Sequence, residues 1–210
     1  LLKEYKKGVM QKIFSQELRF KDENGEEFPK WEEKKLGDLG TFFSGGTPLT
    51  TKRQYFNGNI PFIRSGELNA KITEQYISEE GLKNSSSKMV EIGDLIYALY
   101  GATSGEVAIS KIKGAINQAI LCIRTSLDNT FLLNYLILNK ENIINTYLQG
   151  GQGNLSAEII KSLIVPAPKL KEQTKIANFL SAIDEKINQC GVQIEKMEGW
   201  KKGLLQKMFV

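Results

Sequence analysis

Three short, glycine-rich polar segments carry the side chains best suited to bind another molecule. They are residues 44–48 (SGGTP), 100–105 (YGATSG) and 149–154 (QGGQGN). Glycine lets a backbone approach a ligand closely, and hydroxyl and amide side chains supply the donors and acceptors that read the edges of DNA bases. The third segment leads into a predicted helix, whose N-terminus can receive a phosphate. Each segment taken alone is more typical of an ordinary turn, so support for DNA binding must come from other features.

The placement of positive charge is compatible with a DNA partner but does not require one. The formal net charge is +4, yet residues 36–168 hold eleven basic and eleven acidic side chains. Residues 45–71 contain four basic side chains and one acidic one, and residues 111–124 contain three basic and no acidic ones. We expect one basic face if the fold brings these two stretches together. The middle of the chain is too neutral for a protein that coats DNA regardless of sequence.

The composition excludes several classes of enzyme. The chain has no histidine, so it cannot build a Ser-His-Asp or Cys-His catalytic group or a zincin helix. It also lacks the G-x-x-x-x-G-K-[ST] phosphate loop. A nuclease built from lysines and carboxylates stays open, because Lys34 and Lys186 lie near acidic residues, although such clusters are usually solvated surface.

The cysteines and the hydropathy pattern bear on location. Cys122 and Cys190 are far apart, which indicates neither a disulfide framework nor a zinc site, so a cytoplasmic location is expected. No apolar run approaches the roughly 18 residues needed to span a bilayer, so no membrane partner is expected.

A ten-residue repeat brackets the chain. Residues 5–14 read YKKGVMQKIF and residues 200–209 read WKKGLLQKMF, with six of the ten positions identical. An internal repeat constrains the architecture. Here the same helix-ending sequence lies before and after residues 15–199. We therefore predict a tandem arrangement of helices and modules, of which this chain is one unit.

The second copy of the repeat ends a predicted long helix. A helix over residues 170–209 would be about 60 Å long. Its apolar residues recur at alternating spacings of four and three, interrupted by Lys201, as in a coiled coil. Cys190 also occupies a position of this seam, and the predicted helix-pairing residues are Ile176, Leu180, Ile183, Ile187, Ile194, Met197, Leu204 and Met208. Leu2, Val9 and Ile13 occupy equivalent positions in the short N-terminal helix. We predict antiparallel pairing, within a longer parent protein or between two copies of the chain.

The residues between the helices predict a module of mixed α/β (α+β) class. Short apolar runs bounded by turn-forming residues predict strands at 60–63, 95–99, 107–109 and 119–123. Apolar residues at helical spacing predict a helix over 131–147, and Ser156 is the predicted N-cap of a short helix that ends at Lys161. Residues 18–35 are predicted to be a connector, and Pro166 and Pro168 to separate the module from the long helix.

Seven segments occur in an order that resembles the specificity subunit of type I restriction-modification systems. They are WEEKKLGDL (31–39), GGTP (45–48), IPFIRSGEL (60–68), GDLIYALYG (93–101), NQAIL (117–121), GNLS (153–156) and PAPKLKEQTKIA (166–177). No single segment is decisive, but their order together with the bracketing repeat is specific. The resemblance covers the whole chain and corresponds to the C-terminal half of the family arrangement. It implies the end of a central spacer helix at 1–17, a target recognition domain at 18–168 and a distal spacer helix at 169–210.

The resemblance also implies a function and partners. In this family each recognition domain reads one half of a bipartite double-stranded DNA target, and the helices hold the half-sites apart and dock methyltransferase subunits. Those subunits methylate adenine with S-adenosylmethionine, and endonuclease/translocase subunits complete the complex, so ATP and Mg are also expected on partners. We expect no cofactor, metal or catalysis in this chain, which has no N-P-P-Y-type tetrapeptide for a flipped adenine.

The predicted DNA contacts combine the polar segments with the basic stretches. Lys52, Arg53 and Arg64 are candidates for the target strand or its phosphates. The candidates for base edges or for positioning the backbone are Thr47, Tyr100, Thr103, Ser104, Gln152 and Asn154. Gly46 and Tyr55 complete the set of residues predicted to contact DNA. Two rival hypotheses remain: a coiled-coil scaffold that does not read DNA, and a nuclease whose catalytic part lies elsewhere.

Overall fold

The computed structural model describes residues 1–147 and 154–208. Its helices are α1 (Leu2–Phe14), α2 (Glu79–Lys83), α3 (Asn129–Tyr147), α4 (Ala157–Ser162) and α5 (Leu170–Met208). Its strands are β1 (Glu32–Lys35), β2 (Gly40–Ser44), β3 (Ile60–Ile63), β4 (Tyr76–Ile77), β5 (Lys88–Val90), β6 (Leu95–Ala98), β7 (Val107–Ile109), β8 (Gly114–Ile116), β9 (Ile120–Thr125) and β10 (Ile164–Ala167). The expected mixed α/β class is confirmed.

The strands form two four-stranded sheets and one two-stranded sheet. The first sheet has the order β2-β9-β6-β7, and all its pairs are antiparallel. The second has the order β4-β3-β8-β5, in which β3 and β8 run parallel with Phe62 opposite Ala115. The third pairs β1 with β10. Because β8 leads through residues 117–119 into β9, one short turn connects the two larger sheets.

The first sheet is buried on both faces, which explains why its central strands are continuously apolar. Successive residues of a strand point to opposite faces. Leu95 and Tyr97 of β6 therefore pack with α3 and α4 in one cluster, whereas Ile96 and Ala98 join a second cluster with Ile63 of the other sheet. The core holds the ends of the strands in place, and the first two polar segments follow the ends of β2 and β6.

The first half of α5 packs against α1 in an antiparallel arrangement. Near the start of α1, Lys6 Nζ donates to the carboxylate of Asp184 at 2.7 Å. Beyond the end of α1, Arg19 donates to Glu172 at 3.1 Å, near the start of α5. Both helices also contact α3 through one apolar cluster, whose buried members are Met10, Ile13, Phe131, Ile176 and Leu180.

This packing corrects the expectation that the whole apolar stripe of α5 faces a separate partner helix. Ile176 and Leu180 are fully buried and Ile183 packs on the same cluster, so α1 and α3 of this chain already cover them. Ile187 and Cys190 are half-buried. The large apolar side chains that remain exposed on the distal half of α5 are Val192, Ile194, Met197, Trp200, Leu204 and Leu205. The side chain of Met208 lies outside the described residues.

Several predicted elements are present with small shifts at their ends. β3 and β7 span the predicted residues, β6 ends one residue early, and β9 runs from Ile120 to Thr125. The predicted helix at 131–147 begins two residues earlier, and Ser156 caps α4 by accepting a hydrogen bond from the Ile159 N–H at 3.2 Å. These elements are specified by local patterns, which is why the sequence predicts them.

Other strands escaped prediction because they lack a local signature. All four residues of β1 are charged and exposed, and they lie where a connector was expected. Pro166, predicted to separate the module from the long helix, instead lies within β10 opposite Glu33. Because β10 pairs with a single neighbour, proline can occupy it without breaking a ladder on both sides. Within the described part of the chain, no helix has the length and apolar character needed to cross a membrane.

Candidate nucleic-acid interface

Two of the polar segments predicted from sequence, and the residue that follows the third, converge around the turn at residues 117–119. The N–H of Gly46 donates to the Ile116 carbonyl at 3.2 Å, which holds the first segment against the end of β8. The N–H of Leu99 donates to the Ala119 carbonyl at 2.8 Å, which holds the start of the second. Leu155, just after the third, donates its N–H to the Leu99 carbonyl at 2.8 Å. The fold thus brings the first two polar segments together with Leu155, although each is about fifty residues from the next along the chain.

The two glycines of the first segment are required by packing against neighbouring backbone. A Cβ on Gly45 would lie 1.7 Å from the Ile116 carbonyl oxygen, and one on Gly46 would lie 2.7 Å from the Ser86 Cβ. The carbonyl of Gly46 also accepts a hydrogen bond from the Ser87 hydroxyl at 2.6 Å. Gly46 is buried, so its place in the structure supports a role in positioning the segment instead of the predicted direct contact with DNA.

Thr47 and Tyr100, two predicted site residues, meet at Gln118. The Thr47 hydroxyl donates to Gln118 Oε1 at 2.6 Å. Burial raises the pKa of Tyr100, and a hydrogen bond with the Gln118 side chain acts in the opposite direction. Gln118 was not among the predicted site residues. The signal that could have identified it is its polar NQ dipeptide between two predicted apolar runs, within a segment already noted for its resemblance.

The second segment forms the tight turn that connects β6 with β7. Gly101 and Gly105 have φ values of 88° and 82°, which glycine adopts far more readily than other residues. The hydroxyl of Ser104 donates to the Leu99 carbonyl at 3.1 Å, and the Thr103 carbonyl accepts from the Glu106 N–H at 2.9 Å. Ser104 thus uses its hydroxyl to stabilise the turn, while the Thr103 side chain is half-buried and forms no hydrogen bond within the described residues.

The third segment falls mostly outside the described residues. Gln152 lies there, so its predicted role stays a prediction. Asn154 is described, is exposed, and directly precedes the residue that anchors this segment to Leu99.

Lys52, Arg53 and Tyr55 follow the first segment. The two basic residues are exposed, whereas Tyr55 is buried. Tyr55 is 3% exposed, and its hydroxyl lies 3.0 Å from Lys52 Nζ, an interaction that raises the pKa of Lys52. The ammonium group of Lys52 also lies 5.0 Å from the centre of the Tyr55 ring. Tyr55 therefore holds Lys52, and its burial does not support the predicted direct contact. Arg53 is exposed and forms no ion pair within the described residues.

Arg64 is committed to carboxylates. Its guanidinium pairs with Glu67 at 3.2 Å and also with Glu74, and these hydrogen bonds raise the pKa of Arg64. Burial acts to raise the pKa of Glu67, but hydrogen bonds from the Glu74 backbone and from Arg64 outweigh it, so the pKa is lowered. To bind a DNA phosphate as predicted, Arg64 would have to release Glu67 and Glu74.

The two basic stretches are neighbours, because β3 and β8 pair, but they do not form one strongly basic face. Arg124 is paired with Asp94 at 2.5 Å and Lys113 with Glu91 at 3.0 Å. A cation that the sequence reasoning missed lies closer to the convergent segments. Lys88 is exposed and directly follows Ser87, whose hydroxyl donates to the Gly46 carbonyl. In the pairing of β5 with β8, Lys88 lies opposite Ile116. It forms no ion pair in the part of the chain that the structure describes.

Comparisons with known proteins identify the family of this chain. A family model described as "Type I restriction modification DNA specificity domain" matches residues 29–196. The curated "Type I restriction enzyme MjaIX specificity subunit" of Methanocaldococcus jannaschii is 29% identical over 209 residues, covering 94% of this chain and 48% of the relative. The "Type I restriction enzyme MjaVIII specificity subunit" of the same organism is 25% identical over 201 residues, covering 93% and 46%.

A solved structure shows the same fold. The S subunit of a type I restriction-modification system from M. genitalium superposes with a TM-score of 0.67 at 16% identity, covering 93% of this chain and 50% of that one. The chain spans about half the length of the curated relatives it matches. The family model covers all ten strands and most of α5. The chain therefore belongs to the family of type I restriction-modification DNA specificity domains.

Proposed function

We propose that this chain recognises one half of a bipartite double-stranded DNA target, as half of a type I specificity subunit. The observation that carries the proposal is the convergence of the first two polar segments around residues 117–119, where the Thr47 hydroxyl donates to Gln118 and Tyr100 lies beside the same side chain. Hydroxyl and amide groups held in this way are suited to read base edges. Lys88, which lies opposite Ile116, and the exposed Lys52 and Arg53, which follow the first segment, supply cations for phosphates.

The charge distribution favours sequence-selective binding over general affinity for DNA. Arg64 and Arg124 are paired with carboxylates, so few cations remain for phosphates. Since each phosphate contact adds to the salt dependence of binding, we expect a shallow salt dependence and modest affinity for the isolated chain. Specificity subunits are generally non-catalytic, and we propose the same for this chain, with S-adenosylmethionine, ATP and Mg bound by partner subunits.

The distal half of α5 supports a role in assembly. Residues 5–14 pack on residues 176–184 within the chain, and their repeat at 200–209 has an exposed apolar face in its described part. In the repeat, Lys201 corresponds to Lys6, which pairs with the carboxylate of Asp184. An acidic residue on another helix would pair with Lys201 in the same way. We propose that such a helix comes from the other half of a specificity subunit or from a second copy of this chain, and that methyltransferase subunits dock on the paired helices.

A selection experiment tests DNA recognition directly. The purified chain, alone and with its cognate methyltransferase subunit, is incubated with a pool of randomised duplexes, and the bound fraction is sequenced. Enrichment of a short motif that persists between about 50 and 200 mM salt is the expected result. Enrichment of no motif in either mixture would overturn the proposal and favour the coiled-coil scaffold, which the exposed face of α5 also fits. Cleavage of the pool with added Mg²⁺ would instead favour the nuclease.

A further inference from the structure

The side chain of Gln118 has hydrogen-bonding positions that the chain does not fill. A glutamine amide offers two acceptor positions on Oε1 and two donors on Nε2. Thr47 occupies one acceptor position at 2.6 Å. Tyr100 lies beside the same side chain. One acceptor position on Oε1 and the donors on Nε2 therefore remain available on this exposed residue.

The protein holds this amide from two sides. Thr47 follows Gly45 and Gly46, whose backbone is pressed against β8 and Ser86, so the position of its hydroxyl is well determined. Tyr100 follows Leu99, which is bonded through its N–H to Ala119 and through its carbonyl to Leu155. Gln118 itself lies in the turn between β8 and β9. A recognition group fixed in advance loses less conformational entropy on binding.

The remaining acceptor and donor match one base. In the major groove, adenine presents an acceptor at N7 next to a donor at N6, and glutamine binds this edge with two hydrogen bonds. Guanine presents two acceptors, cytosine a single donor, and thymine a single acceptor beside a methyl group. We infer that Gln118 is a specificity-determining residue that reads an adenine of the DNA target, with Thr47 and Tyr100 as positioning residues. This inference rests on the proposed function.

Substitutions of Gln118 give distinct expected results in the randomised-duplex selection. Gln118→Ala should reduce the preference for adenine at one position by about 5- to 150-fold while the rest of the motif is kept. Gln118→Glu keeps the acceptor for Thr47 but loses both donors, and a carboxylate accepts from cytosine N4. The preference at that position should therefore move from adenine towards cytosine. Gln118 is exposed, so both variants should unfold at the same temperature as the parent chain.

The positioning residues are tested with a matched pair. Thr47→Ser keeps the hydroxyl and should leave the motif unchanged, whereas Thr47→Val has the same shape without the donor and should weaken the adenine preference. Gln11→Ala, on the exposed face of α1, is the control and should select the same motif as the parent chain.

The outcomes separate this inference from the proposed function. If the parent chain selects a motif and Gln118→Ala either selects it unchanged or weakens binding to all sequences alike, Gln118 does not read a base, although DNA recognition stands. If the parent chain selects no motif, DNA recognition and the role of Gln118 both fail.

Discussion

Lys6 in α1 and Asp184 in α5 lie 2.7 Å apart although 178 residues separate them in the sequence. Lys6 belongs to the first copy of the repeat, so this contact shows what the repeat does: its apolar and basic residues pack antiparallel on the start of a long helix. The second copy, at the end of α5, has the same residue types. The equivalence supports the proposal that the exposed distal half of α5 pairs with a helix from elsewhere.

Truncating the buried face of α1 should destabilise the whole chain. Ile13 is fully buried between α1, α3 and α5, so Ile13→Ala should lower the free energy of unfolding by about 2–5 kcal/mol. Val192→Ala, on the exposed part of α5, is the matched control and should cost less than about 0.5 kcal/mol. Chemical denaturation followed by circular dichroism measures both. Equal losses for the two variants would contradict the packing of α1 on α5.

The exposed face of α5 should govern self-association. Met197 and Leu204 are 68% and 41% exposed, and burying such side chains against a partner helix is favourable. We expect the parent chain to associate with increasing concentration in the micromolar range, and Met197→Glu to shift it to monomer. Sedimentation equilibrium measures the mass. A parent chain that stays strictly monomeric would show that two copies do not pair through this face.

A side chain at Gly45 should disrupt the interface without destroying the core. Because a Cβ there would lie 1.7 Å from the Ile116 carbonyl, Gly45→Ala must displace backbone and should cost about 1–3 kcal/mol of stability. It should also weaken DNA binding, since Thr47 moves with the segment. Gly66→Ala is the control, because a Cβ at that position meets nothing within 4 Å. Thermal unfolding and gel shifts on the selected duplex compare them. The packing argument fails if both variants behave like the parent.

Lys88 should contact a phosphate and not a base. Lys88→Ala is then expected to weaken binding to all duplexes alike and to reduce the slope of log affinity against log salt by about 1. Lys30, also exposed but in the segment before β1, provides a control that should not alter the slope. Binding titrations at several salt concentrations on the selected duplex and a scrambled one measure the effect. A change in the selected motif would assign Lys88 a different role.

The pair formed by Asp94 and Arg124 should give a pH-dependent stability. Burial acts to raise the pKa of Asp94, but hydrogen bonds from Arg124 and from the Glu91 N–H outweigh it and lower the pKa below its ordinary value of 3.8. The carboxylate therefore stabilises the fold above that value, and the contribution is lost as the pH falls through the folded-state pKa. Asp94→Asn should cost about 1–2 kcal/mol near neutral pH.

Denaturant titrations across the pH range test this. The difference between Asp94→Asn and the parent chain should be constant above pH 5 or so and should shrink as the pH falls below 3.8. Glu23→Gln, on an exposed residue whose carboxylate forms no ion pair in the described part of the chain, is the control. A difference that does not change with pH would mean that the carboxylate charge of Asp94 contributes nothing to stability.

Local patterns in the sequence were sufficient for much of the secondary structure. The apolar run over Leu95–Ala98 and the helical spacing over Asn129–Tyr147 specify a strand and a helix because burial of a strand or a helix face requires those periods. The heptad spacing of α5 likewise predicted one long helix, whereas its predicted pairing with a helix from a longer parent or a second copy stays a prediction. β8 has no such signature, because it contains only three residues and begins at Gly114. It forms because it pairs with β3 on one side and β5 on the other.

The sequence alone specifies which segments are polar, where the long helix runs and which residues repeat, because these properties depend on neighbours along the chain. The use of those segments depends on contacts between distant residues, which the fold creates. Thr47 meets Gln118 across 71 residues, and Arg64 meets Glu74 instead of standing free, since sheet pairing places them together. The fold also divides the apolar stripe of α5, because α1 is long enough to cover Ile176 and Leu180 but not Ile194 or Met197.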